Sequence, residues 1–374
     1  MERQDDRVPV TLLTGFLGAG KTTLLNHLIR DPEAGRIAVI MNEFGDVGLD
    51  HDLIEEATEE TILMQSGCLC CSIRGDLAKT MASLMARRKR HAIAFDRVVI
   101  ETTGIADPGP ILHTMVIDEM IAPHYRMDGV VTVADAANGP RTLDAQFEAV
   151  HQVAMADLLV ITKADIVTAD ALDRFKARLS GINGTARQVR ADRGRVAPGG
   201  LFNLTAMRES VTTGDVMDWL GAAPKPDPLA GLSGFAPKAP KPAVLPISEG
   251  SSHAHHDHRI GSASIEVTEP IPASVFDFWL DTLIAIKGPD ILRMKGIVHV
   301  EGMDWPFVFH GVQHIFDAPV PLKSWTGTDK TSRVVVIARD IDKGDLRASL
   351  ETLRMQPHEA QADGMIPQTT EMPF

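Results

Sequence analysis

The first half of the chain alternates short apolar runs with longer amphipathic stretches. Runs that are apolar at almost every position are typical of strands buried on both faces of a parallel sheet. They lie at residues 10–14, 37–41, 61–64, 98–100, 129–133 and 158–161. Stretches with helical spacing of apolar residues lie at 23–29, 77–85, 143–155 and 169–179. This order predicts an α/β domain with a doubly wound, mostly parallel sheet, in which ligands bind beyond the carboxyl ends of the strands.

The last third of the chain has a different order of elements. Strand-like runs lie at 262–269, 296–302, 306–318 and 332–340, and helical patterns at 273–286 and 343–353. These patterns predict a small α+β domain. The Arg-Met-Lys-Gly segment at 293–296 is placed ahead of a strand. His310 and His314 are interpreted as surface or packing histidines in preference to metal ligands.

A proline-rich stretch separates the two parts. Residues 224–246 hold seven of the 23 prolines, which fix φ and remove backbone donors. The predicted units are a first domain at 1–223, a semi-rigid linker at 224–262, a second domain at 263–356 and a disordered tail at 357–374.

Composition and charge narrow the function classes. Apolar residues make up 44% and charged residues 23% of the 374 residues, which is ordinary for a soluble globular protein. Fifty acidic against 37 basic residues give a net charge of −13, so nucleic acid and membrane are not expected partners, since both attract basic surfaces. The chain has no apolar run of about 18 residues and no pattern of a secretory signal, so we expect it in the cytoplasm.

Residues 15–22, Gly-Phe-Leu-Gly-Ala-Gly-Lys-Thr, match the phosphate-binding loop between a strand and a helix. In such loops, converging backbone N–H groups and the helix N-terminus bind phosphate. Lys21 is expected to reach the β- and γ-phosphates, and the Thr22 hydroxyl to bind Mg²⁺. The predicted nucleotide contacts in this loop are Gly15, Gly18, Ala19, Gly20, Lys21, Thr22 and Thr23.

Two later strand ends carry further candidate nucleotide residues. Glu101 ends an apolar run, where a carboxylate can hold Mg²⁺ or a water, and the N–H of Gly104 can approach the γ-phosphate. We predict Lys21 and Glu101 as catalytic residues. A plain surface turn is the alternative for 101–104.

Thr-Lys-Ala-Asp at 162–165 follows another apolar run. The Asp165 carboxylate can accept two hydrogen bonds from guanine, which adenine cannot donate, and the Lys163 stem can lie over the base. The alternative is a helix N-cap at Asp165. The usual guanine signature begins with asparagine, and Thr162 replaces it.

The three cysteines of the chain, Cys68, Cys70 and Cys71, lie within one short segment after a predicted strand. Three thiolates can bind a borderline or soft metal and leave one position open, which suits transfer of the ion. Zinc is the first expectation and cobalt the second. A redox pair of Cys68 and Cys71 and inert core thiols are the alternatives.

Two further segments carry candidate metal ligands. The acidic stretch at 42–51 can report the γ-phosphate, and its Glu43 can extend a network to the metal site. A solvated acidic loop is the alternative. The linker carries a cluster of imidazoles that can gather metal ions or merely keep a polar tract soluble. These residues are His253, His255, His256 and His258.

Five motifs in this order resemble the CobW-type P-loop GTPases, which include nitrile hydratase activators and are related to accessory GTPases of urease and hydrogenase maturation. They lie at 15–24, 42–45, 67–71, 101–108 and 162–165. The resemblance covers about residues 8–220, and 263–356 is similar to the C-terminal domain of the family. It implies a GTP-dependent metallochaperone that binds GTP and GDP, uses Mg²⁺, and hands a metal ion to a client metalloprotein.

The resemblance also implies roles for single residues. Gly20, Lys21 and Thr22 would bind phosphate and Mg²⁺, the three cysteines the delivered metal, and Lys163 and Asp165 guanine. GTP would order the 42–50 loop and the cysteine segment for metal binding, and hydrolysis would release the ion. Hydrolysis is expected to be slow without a partner, because no arginine finger or glutamine is evident.

Two questions, the function and the oligomeric state, stay open at this point. A nucleotide-dependent small-molecule kinase and a non-catalytic metal buffer are alternative functions. The oligomeric state is also open, with a homodimer as one option.

Overall fold

The computed structural model describes residues 6–42, 61–66, 73–207, 211–221, 259–316, 318–325 and 329–356. Glu43, the three cysteines and the four linker histidines lie outside these ranges, as do most of the predicted linker and the whole of the predicted tail. Within the described part, no helix is both long and apolar enough to cross a membrane.

The first sheet is parallel throughout, as its buried apolar runs predict. Its strands are β1 (Val8–Gly15), β2 (Ile37–Asn42), β3 (Thr61–Ser66), β4 (Arg97–Thr102), β5 (Tyr125–Asp135), β6 (Leu158–Thr162) and β7 (Arg187–Arg190). Their order is β3-β2-β4-β1-β5-β6-β7, so β1 lies at the centre. Strand β7 was not predicted, because Arg-Gln-Val-Arg has no buried apolar pattern.

Helices cover both faces of this sheet. They are α1 (Lys21–Ile29), α2 (Ile73–Lys89), α3 (Gly109–Ile117), α4 (Gly139–Ala145), α5 (Phe147–Met155), α6 (Ala169–Ile182) and α7 (Thr213–Leu220). Alternating residues of β1 enter two different cores: Val10 and Leu12 pack on one face and Leu13 on the other. The fold class predicted from the apolar pattern is therefore confirmed.

The stretch predicted as one helix at 143–155 is two helices. Gln146 has extended backbone angles, φ −133° and ψ 112°, so it ends α4 and begins α5. Apolar spacing continues through this residue, which is why the pattern did not reveal the break.

The second domain is an antiparallel sheet with helices, so the predicted small α+β domain is confirmed. Its strands are β8 (Ile260–Val267), β9 (Ile291–Val298), β10 (Phe307–Val312), β11 (Ile315–Phe316), β12 (Val320–Pro321) and β13 (Ser332–Arg339). Helices α8 (Ala273–Lys287) and α9 (Lys343–Glu351) cover one face, where Trp279 and Leu346 are buried. The other face packs against the first domain: Leu292 and Ile337 join its core, and Ile297 contacts the cluster around α7.

The prediction that residues 293–296 precede a strand was wrong, because they lie inside β9. Arg293 and Lys295 are 2% and 1% exposed. Charged residues at alternate positions usually mark a solvent face, but both of these side chains are paired with Asp157 of the first domain.

Candidate functional site

The carboxyl ends of four adjacent strands meet at one edge of the parallel sheet. Asn42 of β2 is in register with Ser66 of β3 and with Thr102 of β4, while Leu13 of β1 pairs with Glu101. Adjacent strands lie about 4.8 Å apart. The last residues of β1, β2, β3 and β4 therefore all lie at this edge.

The loop after β1 has the backbone geometry of a phosphate cradle. Gly18 and Gly20 have φ of 72° and 101°, which favour glycine, and Gly20 is the N-cap of α1. At Gly15 a Cβ atom would lie 2.5 Å from the carbonyl oxygen of Val133, so this position also requires glycine. Lys21 is buried, and its Nζ donates to the Gly15 carbonyl at 2.8 Å. Its ammonium thus lies against the loop that would surround the phosphates.

Thr22 and Glu101 bring a hydroxyl and a carboxylate together. Thr22 Oγ1 donates to Glu101 Oε1 at 3.2 Å, and Glu101 is 7% exposed. A hydroxyl and a carboxylate oxygen are hard ligands of the kind that Mg²⁺ prefers. The donor set therefore fits a magnesium ion held between the phosphate loop and the end of β4. Thr23 is exposed in the first turn of α1.

Gly104 packs directly against the phosphate loop. A Cβ atom at Gly104 would lie 2.5 Å from the backbone nitrogen of Leu17, so the close approach needs glycine. The strands that precede the two loops are joined by side chains: Thr102 Oγ1 of β4 donates to Thr14 Oγ1 of β1 at 2.8 Å. The residues after β4 are thereby placed within reach of any phosphate in the loop.

Thr162 and Lys163 connect the loop after β6 to the phosphate loop. Thr162 Oγ1 donates to the Ala19 carbonyl at 2.7 Å, and Lys163 Nζ donates to the Gly18 carbonyl at 2.9 Å. The hydroxyl at 162 thus holds the two loops together even though asparagine is absent. Asp165 is exposed just beyond, and the side-chain N-cap of α6 is Thr168, so the N-cap alternative for Asp165 is wrong.

Asp135 is a site residue that the sequence reasoning missed. Its Oδ2 accepts a hydrogen bond from Lys163 Nζ at 2.7 Å, so it fixes the lysine stem. Burial would raise the pKa of Asp135, but the hydrogen bonds from Lys163 and Asn138 outweigh it and lower that pKa. Its position at the end of the apolar β5 run, like that of Glu101 on β4, is the signal that would have revealed it.

The predicted ligands of the transferred metal lie outside the described residues. Glu43, Cys68, Cys70, Cys71 and the linker histidines lie outside those ranges. In the ranges that are described, no group of three or more histidine, cysteine, aspartate or glutamate side chains is arranged to hold a metal. His310 is buried against Trp219 at 5.9 Å between ring centroids, and His314 lies edge-on to His113 at 5.8 Å. Each of these two histidines thus has an aromatic packing partner.

Comparison with known proteins decides the family. Residues 9–190 match the CobW/HypB/UreG nucleotide-binding domain, and residues 260–354 match the C-terminal domain of the cobalamin synthesis protein CobW. The zinc chaperone YjiA of Escherichia coli is 31% identical over 347 residues, which cover 93% of this chain and 99% of that protein. The chain belongs to the CobW family.

Two further relatives and one solved structure are also similar to this chain. The zinc chaperone CobW of Pseudomonas aeruginosa is 30% identical over 389 residues, covering 92% of this chain and 91% of that protein. The zinc-regulated GTPase metalloprotein activator 1 of Schizosaccharomyces pombe is 38% identical over 198 residues, covering 51% and 47%. The crystal structure of Zn(II)-bound YjiA GTPase from E. coli superimposes with a TM-score of 0.69 at 26% identity, covering 93% of this chain and 99% of that one.

Proposed function

We propose that this chain, a GTPase of the CobW family, is a zinc metallochaperone that couples the nucleotide state to binding and release of the ion for a client metalloprotein. The observation that carries the proposal is the common edge of the sheet. The strand before the cysteine segment, β3, is in register with β2, and β2 is in register with the strand that carries Glu101. Zinc chaperones and a zinc-regulated GTPase among the relatives support zinc as the cargo.

The nucleotide half of the function rests on the geometry of three loops. The loop at 15–22 would receive the phosphates, with the Lys21 ammonium offsetting their charge. Thr22 and Glu101 would hold Mg²⁺, which when bound neutralises charge on the β- and γ-phosphates. The N–H of Gly104 would face the γ-phosphate, so this loop distinguishes GTP from GDP. Asp165 would read guanine beside the Lys163 stem.

The metal half of the function rests on ligand chemistry and on chain position. Cys68, Cys70 and Cys71 supply soft thiolates that suit Zn²⁺, and Co²⁺ fits the same ligands. Glu43 directly follows Asn42, the last residue of β2, and can add a carboxylate from the neighbouring strand end. His253, His255, His256 and His258 would form a separate loading arm. A small-molecule kinase leaves the cysteines unexplained, and a nucleotide-independent buffer leaves the phosphate loop unexplained.

A Cys70→Ser chain tests the metal site directly. A neutral hydroxyl is a poor ligand for zinc, so we expect zinc affinity to fall by at least about tenfold while GDP affinity stays within about twofold. Competitive titration with a chromophoric chelator measures the first quantity, and fluorescent GDP measures the second. Ser72→Ala, in the same segment, is the matched control and should retain full zinc affinity. Equal loss of zinc and GDP binding by Cys70→Ser would assign the thiol a structural role.

A further inference from the structure

Gln152 on α5 is 1% exposed, and its side chain is bonded to the loop that follows β4. Its Nε2 donates to the carbonyl oxygens of Gly104 at 3.2 Å and of Ala106 at 3.1 Å. The backbone carbonyl of Gln152 accepts a hydrogen bond from Thr132 Oγ1 at 2.9 Å, which anchors this point of the helix to β5. Burying an amide N–H donor is costly unless it is hydrogen-bonded, so the two bonds from Nε2 connect the side chain to the loop.

The neighbouring His151 lies beside the far end of the same loop. Its Nδ1 lies 3.5 Å from Asp107 Oδ1, and its ring stacks on Phe147 with centroids 6.1 Å apart. Burial lowers the pKa of His151 against the opposing charge of Asp107, which favours the neutral ring. Asp107 Oδ1 in turn accepts from the Gly109 N–H at 2.8 Å, at the start of α3. Helix α5 therefore contacts both the beginning and the end of this loop.

Both ends of α5 also contact the C-terminal domain. At its start, the guanidinium of Arg259, the residue before β8, lies 4.5 Å from the centroid of the Phe147 ring. At its end, Arg293 of β9 donates to the Met155 carbonyl and pairs with Asp157. A shift of the C-terminal domain would therefore act on the same helix that carries Gln152.

The Gly104 peptide has little room to move. Its Cα lies so close to Leu17 that a methyl group would overlap the backbone nitrogen of that residue. A small displacement of the Gly104 peptide would change its distance to the phosphate loop, because packed elements move as units. The two bonds from Gln152 are the direct link between that peptide and α5.

We propose that Gln152 is a positioning residue for GTP hydrolysis, and that α5 transmits the position of the C-terminal domain to the Gly104 peptide through it. The inference rests on the proposed placement of the γ-phosphate at Gly104. Gln152 is 1% exposed and its Nε2 is bonded to the loop after β4, so it acts through that loop. Its influence is therefore confined to the state that carries a γ-phosphate, and GDP binding does not depend on it.

A Gln152→Met chain keeps the length of the side chain and removes both donors. We expect kcat for GTP to fall about tenfold, since two hydrogen bonds to the loop are lost, while GDP affinity changes by less than about twofold. GDP binding also shows that the variant is folded. Gln188→Met on β7 is the matched control, because Gln188 Nε2 likewise donates two bonds, to the Lys176 carbonyl at 3.1 Å and to Ser180 Oγ at 2.9 Å. It should hydrolyse GTP at the normal rate.

A double-mutant cycle with Arg293→Met tests the link to the C-terminal domain. If α5 transmits through Gln152, the fall in kcat caused by Arg293→Met shrinks in the Gln152→Met background. The assays are run below the unfolding temperature of every variant, as measured by circular dichroism. Equal effects in both backgrounds would overturn the transmission.

Two further outcomes separate this inference from the function on which it rests. Suppose that Gly104→Ala abolishes hydrolysis. If Gln152→Met then has a normal kcat, or loses GTP and GDP binding equally, only the proposed role of Gln152 is overturned. Normal hydrolysis by Gly104→Ala would instead contradict the placement of the γ-phosphate, and the inference would fall with it.

Discussion

Replacing Lys21 by alanine is expected to lower kcat/KM for GTP by about 10² to 10³-fold, the range found when a preorganised donor to a developing charge is removed. The ammonium is buried and held against the Gly15 carbonyl at 2.8 Å, so it is already positioned before phosphate arrives. No other lysine or arginine belongs to residues 15–22. Phosphate release under single-turnover conditions measures the effect.

Lys89→Ala is the matched control for this substitution. Lys89 is an exposed lysine at the end of α2, immediately before the chain returns to the start of β4 at the opposite edge of the sheet. It should leave GTP turnover unchanged. Turnover by Lys21→Ala within threefold of the normal rate would contradict the assignment of residues 15–22 as the phosphate site.

Replacing Asp157 by alanine is expected to destabilise the protein by about 3 to 5 kcal/mol, because it leaves the buried Arg293 guanidinium, and the Lys295 side chain when that is protonated, without a counter-ion. The Asp157 carboxylate is paired with Arg293 and lies 3.1 Å from Lys295 Nζ, and all three side chains are 2% exposed. Its Oδ2 also accepts from the Val130 N–H at 3.0 Å. Loss of the carboxylate therefore weakens both the domain interface and the β5–β6 edge. Chemical denaturation monitored by circular dichroism measures the loss.

Asp96→Ala provides the matched control. Asp96 pairs with Arg36 at 2.8 Å, but both side chains are 48% exposed, so its loss should cost less than about 1 kcal/mol. Burial lowers the pKa of Lys295 to about 7, so a neutral side chain is tolerated there, and Lys295→Met should cost less than Arg293→Met. Equal costs for Asp157→Ala and Asp96→Ala would show that the buried cluster does not stabilise the interface.

Lowering the pH should also remove the stabilisation by the Asp157 carboxylate. Burial alone would raise the pKa of Asp157, but the charges of Arg293 and Lys295 outweigh it and hold this pKa well below the ordinary value of 3.8. A carboxyl whose pKa is lowered by folding stabilises fully above the pKa of the unfolded chain and loses this effect as the pH falls through the folded value. Below about pH 4, the unmodified chain should therefore lose stability more steeply than Asp157→Ala.

The residues of the phosphate loop were predictable because they are contiguous. Residues 15–22 carry their own glycines, lysine and threonine between a strand and a helix, so no long-range contact is needed to recognise them. The parallel sheet was equally accessible, since its central strands are apolar at almost every position. The partner of Thr22, Glu101, followed from its position at the end of such a strand.

Long-range polar contacts could not be predicted in this way. Gln152 reaches a loop 46 to 48 residues away, and a single glutamine on an amphipathic helix has no motif around it. Asp157 and Arg293 are 136 residues apart, and each alone is typical of a solvent-exposed position. Thr162 replaces the asparagine of the usual guanine signature. Its hydrogen bond to the Ala19 carbonyl, which connects the loop after β6 to the phosphate loop, is evident only from the structure.

The central claim is that the nucleotide state controls zinc affinity. The most direct measurement is the zinc dissociation constant of the full chain, determined by chelator competition with Mg²⁺ and either GDP or a non-hydrolysable GTP analogue, with Cys70→Ser in parallel. We expect the GTP analogue to tighten zinc binding by about five- to 150-fold, zinc to tighten binding of the analogue by the same factor, and Cys70→Ser to abolish both effects. Equal zinc affinities in the two nucleotide states would contradict it.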